Sequence, residues 1–178
     1  MRGTLGGGAT LGVYDLAVMP YAAALDLQHR LVAARRDQRI DDTLLLLEHP
    51  PVITMGRSAV MEDVLISPAD LASAGGTIEW IERGGETTYH GPGQLVGYLI
   101  LDLRQHLRSL KRFVNLLEEV FVQVLQEHYA VEAHRDPEHR GVWVDNEKIT
   151  ALGIAVKERV TFHGFALNVN TDLSTTVG

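Results

Sequence analysis

The sequence has 178 residues, of which 46% are hydrophobic, and its 16 Lys plus Arg stand against 23 Asp plus Glu, giving a formal net charge of −7. This composition excludes a disordered chain and predicts one domain over residues 1–178, and the acidic balance argues against nucleic acid as a partner. The absence of cysteine excludes disulfides and thiolate metal sites built from these residues. No run approaches the roughly 20 apolar residues that cross a bilayer, so we expect a cytoplasmic protein with no membrane partner.

The predicted elements alternate between strands and helices along the chain. Residues 1–11 are rich in glycine and are predicted to form a flexible lead-in. Helices are predicted at 21–36, in a short segment that begins at Ser67-Pro68, and at 110–124. Hydrophobic patterning predicts strands at 13–18, 43–47, 52–55, 77–81, 95–103, 141–144, 148–156 and 160–169. This order predicts an α/β (α+β) domain with a mixed, largely antiparallel sheet and flanking helices.

The polar segment between the strands at 77–81 and 95–103 is the first candidate site. It contains four glycines, which permit positive φ angles and a close approach of the backbone to a ligand. Its hydrogen-bonding side chains are Arg83, Thr87, Thr88, His90 and Gln94. Polar groups concentrated on a loop that two strands hold in place favour a site over a plain hairpin loop.

Two later segments are weaker candidates. Lys148 opens a predicted strand and small residues follow it, so it is either a buried reactive amine or an ordinary exposed lysine at a strand edge. His163 lies in the last predicted strand beside Gly164, and a lone histidine in a strand is more often structural than catalytic. The residues by themselves leave both alternatives open.

Several segments together resemble the lipoyl(octanoyl) transferase family, in the family's order, from about Val13 to Leu173. They are Arg83-Gly84-Gly85 followed by Thr88-Tyr89-His90-Gly91-Pro92-Gly93-Gln94-Leu95 and Tyr98, Leu44-Leu45-Leu46-Leu47-Glu48-His49-Pro50, Gly141-Val142-Trp143, Lys148 with Ala151-Leu152-Gly153, and Phe162-His163-Gly164 with Ala166-Leu167-Asn168. Members of this family move an octanoyl group from acyl carrier protein to a lysine of lipoate-dependent enzyme domains. The resemblance therefore implies this activity and the biotin/lipoate ligase–transferase fold.

The resemblance also implies the residues of the site. The expected walls of the acyl pocket are Arg83, Gly84, Gly85, Glu86, Thr87, Thr88, Tyr89, His90, Ala151, Leu152, Gly153, Gly164, Phe165 and Ala166. Small residues at 151, 153, 164 and 166 are expected to leave room for an eight-carbon chain, in which each buried methylene contributes about 0.8 kcal/mol. Lys148 matches the lysine that lowers the pKa of the family's nucleophile. Gln94 and His163 are supporting candidates, and His90 and His163 are expected to orient the carbonyl or handle protons, with no cofactor and no metal.

The family's nucleophile has no counterpart among these residues. The resemblance implies a cysteine in a Pro-Cys-Gly element shortly beyond Asp172-Leu173, so we expect a C-terminal segment that these 178 residues lack. Ser174 or Thr175 is a poor substitute, because a nearby ammonium leaves an alcohol un-ionised. We expect a thiolate to attack the octanoyl thioester, backbone N–H groups near the late hairpin to hold the oxyanion, and the acceptor lysine to take the acyl group.

The implied partners are octanoyl-acyl carrier protein as the donor, and lipoyl domains of 2-oxoacid dehydrogenases and the glycine cleavage H protein as acceptors. Because these partners are acidic, we expect docking to need a local basic patch. One candidate patch is predicted to share a helical face and consists of Arg104, Arg108, Lys111 and Arg112. A second consists of Arg30, Arg35, Arg36 and Arg39.

Two other functions stay open. A lipoate- or biotin-type ligase has similar motifs but would need ATP and Mg²⁺, and the segment from Thr88 to Gln94 favours the transferase. ATP–pyrophosphate exchange with octanoate would identify a ligase. A catalytically silent acyl-binding module fits the absence of a thiol, and a cysteine in the complete reading frame would dismiss it.

Overall fold

The computed structural model describes residues 2–5, 9–106 and 109–172. Within these ranges the chain forms three α-helices and eleven strands. The helices are α1 (Tyr21–Arg36), α2 (Pro68–Ser73) and α3 (Leu110–Tyr129). The strands are β1 (Arg2–Leu5), β2 (Ala9–Val18), β3 (Asp42–Glu48), β4 (Val52–Met55), β5 (Thr77–Trp80), β6 (Thr87–His90), β7 (Gln94–Ile100), β8 (His134–Arg135), β9 (Val142–Val144), β10 (Glu147–Lys157) and β11 (Val160–Asn168).

The described strands form two sheets. The large sheet has the order β1-β2-β3-β7-β11-β10-β9-β8, and the small sheet has the order β5-β4-β6. Among the described strand pairs, β2 with β3 and β4 with β5 are parallel, and the others are antiparallel. The predicted mixed, largely antiparallel sheet with flanking helices is confirmed.

The helices begin and end where local chemistry favours it. The Ser67 hydroxyl accepts a hydrogen bond from the backbone N–H of Asp70 at 3.1 Å, which caps α2. Ser109 caps α3 in the same way, and α3 ends at Ala130, whose φ of +53° breaks the helical path. None of the helices in the described part of the chain is both long and apolar enough to cross a membrane.

The two long helices cover opposite faces of the large sheet. Leu45 packs in the buried cluster that includes Ala24 of α1, whereas Leu44 and Leu46 pack in the cluster that includes Phe121 of α3. Alternate residues of a strand point to opposite faces, so β3 is a central strand covered on both sides. The rings of Phe121 and Phe165 meet edge to face with centroids 4.7 Å apart and join α3 to β11.

Two regions differ from the prediction. Residues 2–5 pair with residues 9–12 as an antiparallel hairpin at the sheet edge, where a flexible lead-in was expected, because the exposed edge of β2 offers backbone groups that another strand can bond. Residues 87–90 form β6 inside the predicted polar loop. Their partner is β4, with Thr88 opposite Thr54, and these cross-strand bonds override the polar composition.

The first predicted basic patch is wrong. Arg104 lies in a 3-10 turn before α3, and its guanidinium pairs with the Asp102 carboxylate at 2.6 Å. Arg108 lies outside the described residues. A shared helical face is not formed, because α3 begins only at Leu110 and takes in Lys111 and Arg112 alone.

The second predicted basic patch is neutralised by acidic neighbours. Its buried member, Arg35, pairs with Asp42 at 2.7 Å. The exposed pairs are Arg30 with Asp26, Arg36 with Asp37 and Glu158, and Arg39 with Asp37. This surface therefore carries no concentrated positive charge for an acidic partner.

Candidate active site

A cavity of about 320 Å³ lies between the small sheet, the β10–β11 hairpin and the start of α1. Most of the predicted site residues line it, although they lie up to 83 positions apart in the sequence, from Arg83 to Ala166. These are Arg83, Gly85, Glu86, Thr87, Thr88, His90, Lys148, Ala151, Leu152, Gly153, His163, Gly164, Phe165 and Ala166. The structure thus brings the predicted loop and both strands of the late hairpin to one space.

Three predicted residues lie off the cavity wall. Gly84 is exposed on the loop. Tyr89 packs against the buried cluster of Ile53, Met55 and Leu71, because alternate residues of β6 face opposite ways. Gln94 is buried behind His90 and contacts its ring nitrogen.

Arg83 is a buried cation on the cavity wall, with only 7% of its surface exposed. Its guanidinium donates to the carbonyl and hydroxyl oxygens of Thr54 at 3.1 and 3.0 Å, and to the Gly84 carbonyl at 3.0 Å. Burial lowers the pKa of Arg83, but a guanidinium remains charged in proteins. The acceptors of these bonds are neutral oxygens, so the positive charge is available to a ligand.

Gly153 was predicted to leave room for the acyl chain, but its position in the structure indicates a different role. A Cβ at Gly153 would lie 2.9 Å from Cδ of Arg83, so this glycine makes room for the arginine side chain rather than for an acyl chain. A Cβ at Gly164 would lie 2.0 Å from the carbonyl oxygen of Gly97. That glycine permits a close approach of β11 to β7, and Ala151 and Ala166 are the two alanines that line the cavity.

The hydrogen bonds of Gln94 fix the tautomer of His90. Gln94 Nε2 donates to the Tyr89 carbonyl at 3.1 Å and to Asn168 Oδ1 at 2.9 Å, which leaves Gln94 Oε1 facing His90 Nδ1 at 2.7 Å. An amide oxygen only accepts, so Nδ1 carries the proton and Nε2 of His90 is a free lone pair. Burial, the neighbouring His49 and the Arg83 charge lower the pKa of His90 to about 3.

His49 and Tyr98 form a second buried hydrogen-bonded pair next to the cavity. His49 Nδ1 lies 2.6 Å from the Met19 carbonyl, so this nitrogen donates, and His49 Nε2 must accept from the Tyr98 hydroxyl at 2.6 Å. Burial lowers the pKa of His49 and raises the pKa of Tyr98 well above its ordinary value. Tyr98 lines the cavity and therefore offers it an oxygen acceptor rather than a proton.

His163 also stays neutral. Burial and the charge of Arg83 lower its pKa to about 3, and its Nε2 is buried without a hydrogen-bond partner among the described residues. Its backbone N–H donates to Gln28 Oε1 at 2.7 Å, and its φ is +57°. Histidines with such low pKa values are uncharged and only weakly basic at neutral pH, which favours the orienting role expected for His90 and His163 over proton transfer.

Lys148 lies on the rim of the cavity. Its side chain is exposed, and its Nζ lies 4.8 Å from the ring centroid of Trp143 on the neighbouring strand. Lys148 is one of the residues that line the same cavity as Arg83. Among residues 2–5, 9–106 and 109–172, no three His, Asp or Glu side chains are grouped to hold a metal ion.

Sequence reasoning missed several lining residues. They are Tyr21, Ser58, Val96, Tyr98, Glu138, His139 and Arg140. His49 and Tyr98 did lie in the segments that matched the family pattern, which was the available signal, but neither was given a role. The loop residues 138–140 are positioned by buried Glu118, which accepts from Arg135 at 3.0 Å and from the backbone N–H of Gly141 at 3.2 Å.

Comparison with known proteins agrees with this geometry. The pattern of the family described as "Lipoyl protein ligase A/B catalytic domain" matches residues 20–178. An octanoyltransferase of Caldicellulosiruptor saccharolyticus is 52% identical over 164 residues, which are 92% of this chain and 70% of that protein. The chain belongs to the octanoyltransferase family. Another octanoyltransferase, from Desulforamulus reducens, is 46% identical over 92% of this chain and 72% of its own length.

Solved structures extend the octanoyltransferase comparison to the fold. A structure of P. falciparum LipL1 in complex with lipoate matches with a TM-score of 0.73 at 15% identity, over 94% of this chain and 51% of that one. A putative lipoate protein ligase from T. acidophilum matches with a TM-score of 0.67 at 16% identity, over 93% of this chain and 73% of that one. The predicted ligase–transferase fold of this chain is confirmed.

Proposed function

We propose that this chain forms the acyl-binding part of an octanoyltransferase, with Lys148 as its activating amine. The complete enzyme moves an octanoyl group from acyl carrier protein to a lysine of lipoyl domains, including the H protein of glycine cleavage, in the cytoplasm. The observation that carries the proposal is the meeting of the Arg83 loop, the β10–β11 hairpin and Lys148 around one cavity.

The cavity suits a short saturated acyl chain. Its volume of about 320 Å³ is at the small end for ligand pockets, and apolar residues from three strands contribute to its wall. They are Val96, Ala151, Leu152, Phe165 and Ala166. Burying the six methylenes of an octanoyl chain would contribute about 5 kcal/mol, at roughly 0.8 kcal/mol for each.

Arg83 is our candidate for stabilising the thioester oxygen. A guanidinium has five N–H hydrogens, and three hydrogen bonds to Thr54 and Gly84 were found among the described residues, so two hydrogens remain. A fixed cationic donor in a buried position stabilises the negative charge that develops on a carbonyl oxygen under attack. The uncharged rings of His90 and His163 add nitrogen atoms to the cavity wall, and burial holds these rings in position.

Lys148 is our candidate for stabilising a thiolate. The thiolate attacks the carbonyl carbon of the octanoyl thioester, the carrier thiolate leaves and takes up a proton, and an acyl-enzyme thioester forms. The neutral amine of the acceptor lysine then attacks that thioester, an amide forms as the nitrogen loses a proton to solvent, and the enzyme thiolate is released. Residues 1–178 contain no cysteine, and we propose that the thiol comes from polypeptide outside them.

The test compares two proteins with the same substrate. Octanoyl-acyl carrier protein and a lipoyl domain are mixed with residues 1–178 or with the protein from the complete reading frame, and the acceptor mass is followed. We expect residues 1–178 to bind the octanoyl thioester without sustained transfer, and a cysteine-containing complete protein to transfer it. Sustained transfer by residues 1–178, verified by mass, would contradict the thiol mechanism.

The ligase alternative has its own measurement. Octanoate, ATP and Mg²⁺ are added to the same preparations, and exchange of pyrophosphate into ATP is followed. We expect no exchange, because a transferase receives its acyl group already activated as a thioester. Exchange above the rate of a protein-free control would favour the ligase.

A further inference from the structure

The segment Gly141-Val142-Trp143 has no part in the mechanism above, yet it lies directly beside Lys148. We propose that Trp143 is a positioning residue whose indole ring holds the Lys148 ammonium at the cavity rim. The catalytic meaning of this inference rests on the proposed function, whereas the contact between the two side chains does not.

The strand register brings the two side chains together. Trp143 of β9 is the direct partner of Lys148 of β10, and directly opposed residues have neighbouring side chains on one face. Lys148 Nζ lies 4.8 Å from the centroid of the Trp143 ring, within the roughly 6 Å over which a ring attracts a cation. An exposed lysine has many rotamers, and this contact favours the ones that keep the ammonium at the rim.

Gly141 lets the lysine stem pass. Its φ is +132°, and a Cβ there would lie 2.7 Å from the Thr150 carbonyl oxygen and 3.2 Å from Cδ of Lys148. The pairing of β9 with β10 also shifts register between Lys148 and Thr150, which alters the direction of the side chains at this point. A larger residue at 141 would push both the strand and the lysine away.

The tryptophan is itself held in place. Its indole N–H donates to the carbonyl oxygen of His139 at 3.4 Å, and the His139 ring meets the indole edge to face at 6.2 Å between centroids. His139 lines the cavity, whereas Trp143 does not. The ring therefore acts on the site through Lys148 and through this loop, and it has no contact with the acyl chain.

The test uses the small number of lysines in the chain. Lys111, Lys148 and Lys157 are the three lysines of the sequence, so a trace amount of an amine-acylating reagent labels three sites that peptide mass spectrometry resolves. Trp143→Leu removes the ring that lies over one side of the amine. We expect labelling of Lys148, relative to Lys111 and Lys157, to rise about two- to fivefold in this variant.

Two further variants separate positioning from folding. Trp143→Phe keeps an aromatic face and should show a smaller rise than Trp143→Leu. Trp80→Leu, at the other, exposed tryptophan, should leave the labelling ratio unchanged.

The wild-type protein provides an independent signal by NMR, because the Trp143 ring should shift the Hε resonances of Lys148 upfield. An unshifted Lys148 signal, or equal labelling ratios in wild type and folded Trp143→Leu, would overturn the proposal.

A binding measurement keeps this inference apart from the proposed function. Affinity for octanoyl-pantetheine should change less than about twofold in Trp143→Leu, and in the complete enzyme kcat should fall while KM stays near its wild-type value. If wild type fails to bind the thioester but the labelling ratios change as expected, the proposed function fails and the positioning of Lys148 stands. If binding is strong and the ratios do not change, the positioning role fails alone.

Discussion

Gln94 Oε1 accepts a hydrogen bond from His90 Nδ1 at 2.7 Å, while the amide nitrogen of Gln94 is held by two other oxygens. One buried glutamine therefore decides which nitrogen of His90 carries the proton and which is the acceptor. The pair begins and ends the turn between β6 and β7, so the same residues that join the two sheets also set the chemistry of the cavity wall.

Replacing Gln94 should destabilise the protein. Gln94→Leu leaves the His90 N–H and the Tyr89 carbonyl without their partner, and a buried polar group that loses its hydrogen bond costs about 1–3 kcal/mol. Urea unfolding measures the change in the free energy of unfolding. Gln126→Leu, on the exposed side of α3, is the matched control and should differ from wild type by less than about 0.5 kcal/mol. Equal stability of the two variants would contradict the assigned bond network.

Removing the Tyr98 hydroxyl should have a similar effect for a different reason. Tyr98→Phe leaves His49 Nε2 as a buried acceptor without a donor, and we expect a loss of about 1–3 kcal/mol in the free energy of unfolding. Tyr14→Phe is the control, because Tyr14 is 52% exposed. Protection of the Tyr98 hydroxyl proton from exchange gives a second reading, and rapid exchange in wild type would argue against the bond to His49.

Stability should fall as the pH is lowered below about 6.5. Burial lowers the pKa of His90 and His163 to about 3, below their ordinary value of 6.5, so unfolding takes up protons between these limits. Stability is therefore fully present above about pH 6.5 and is lost as the pH falls towards 3. His163→Asn, which tolerates the positive φ, should reduce the slope between pH 5 and 6.5. An unchanged slope would contradict the low pKa of His163.

A methyl group at Gly153 should displace Arg83. The new Cβ would lie 2.9 Å from Cδ of Arg83, so the guanidinium must leave its bonds to Thr54 or the strand must move. Gly153→Ala should weaken octanoyl-thioester binding at least fivefold and lower stability by about 1–3 kcal/mol. Gly84→Ala, in the loop that carries Arg83, meets no atom within 4 Å and should leave the free energy of unfolding unchanged. If Gly153→Ala bound the octanoyl thioester as tightly as wild type, the position of Arg83 would not depend on the space beside Gly153.

The sequence predicts elements whose signal is local. The Pro20 start of α1, the Ser67 cap of α2 and the apolar β3 follow from propensity and pattern, and their observed bounds agree with the predictions to within two residues. The strand β6 was not predicted, because Thr87 and Thr88 become strand residues only through pairing with β4. Local composition carries no information about that partner.

Contacts between residues far apart in the sequence could not be predicted either. His49 and Tyr98 are 49 positions apart, and a tyrosine in an apolar strand has the pattern of an ordinary core residue. The helical spacing of Arg104 with Lys111 looked like one basic face, but the helix begins after the arginine. The family pattern identified the segments of the cavity, and only the folded chain shows which side chains face one another.

The most direct test of the account is a map of the octanoyl site in solution. Methyl resonances of the 178-residue protein are followed by NMR during titration with octanoyl-pantetheine. We predict saturable shifts at Val96, Ala151 and Ala166, around the cavity beside Arg83. Shifts confined to Leu27, Leu31 and Leu45, around the separate cavity between α1 and β3, or no saturable shifts at all, would contradict it.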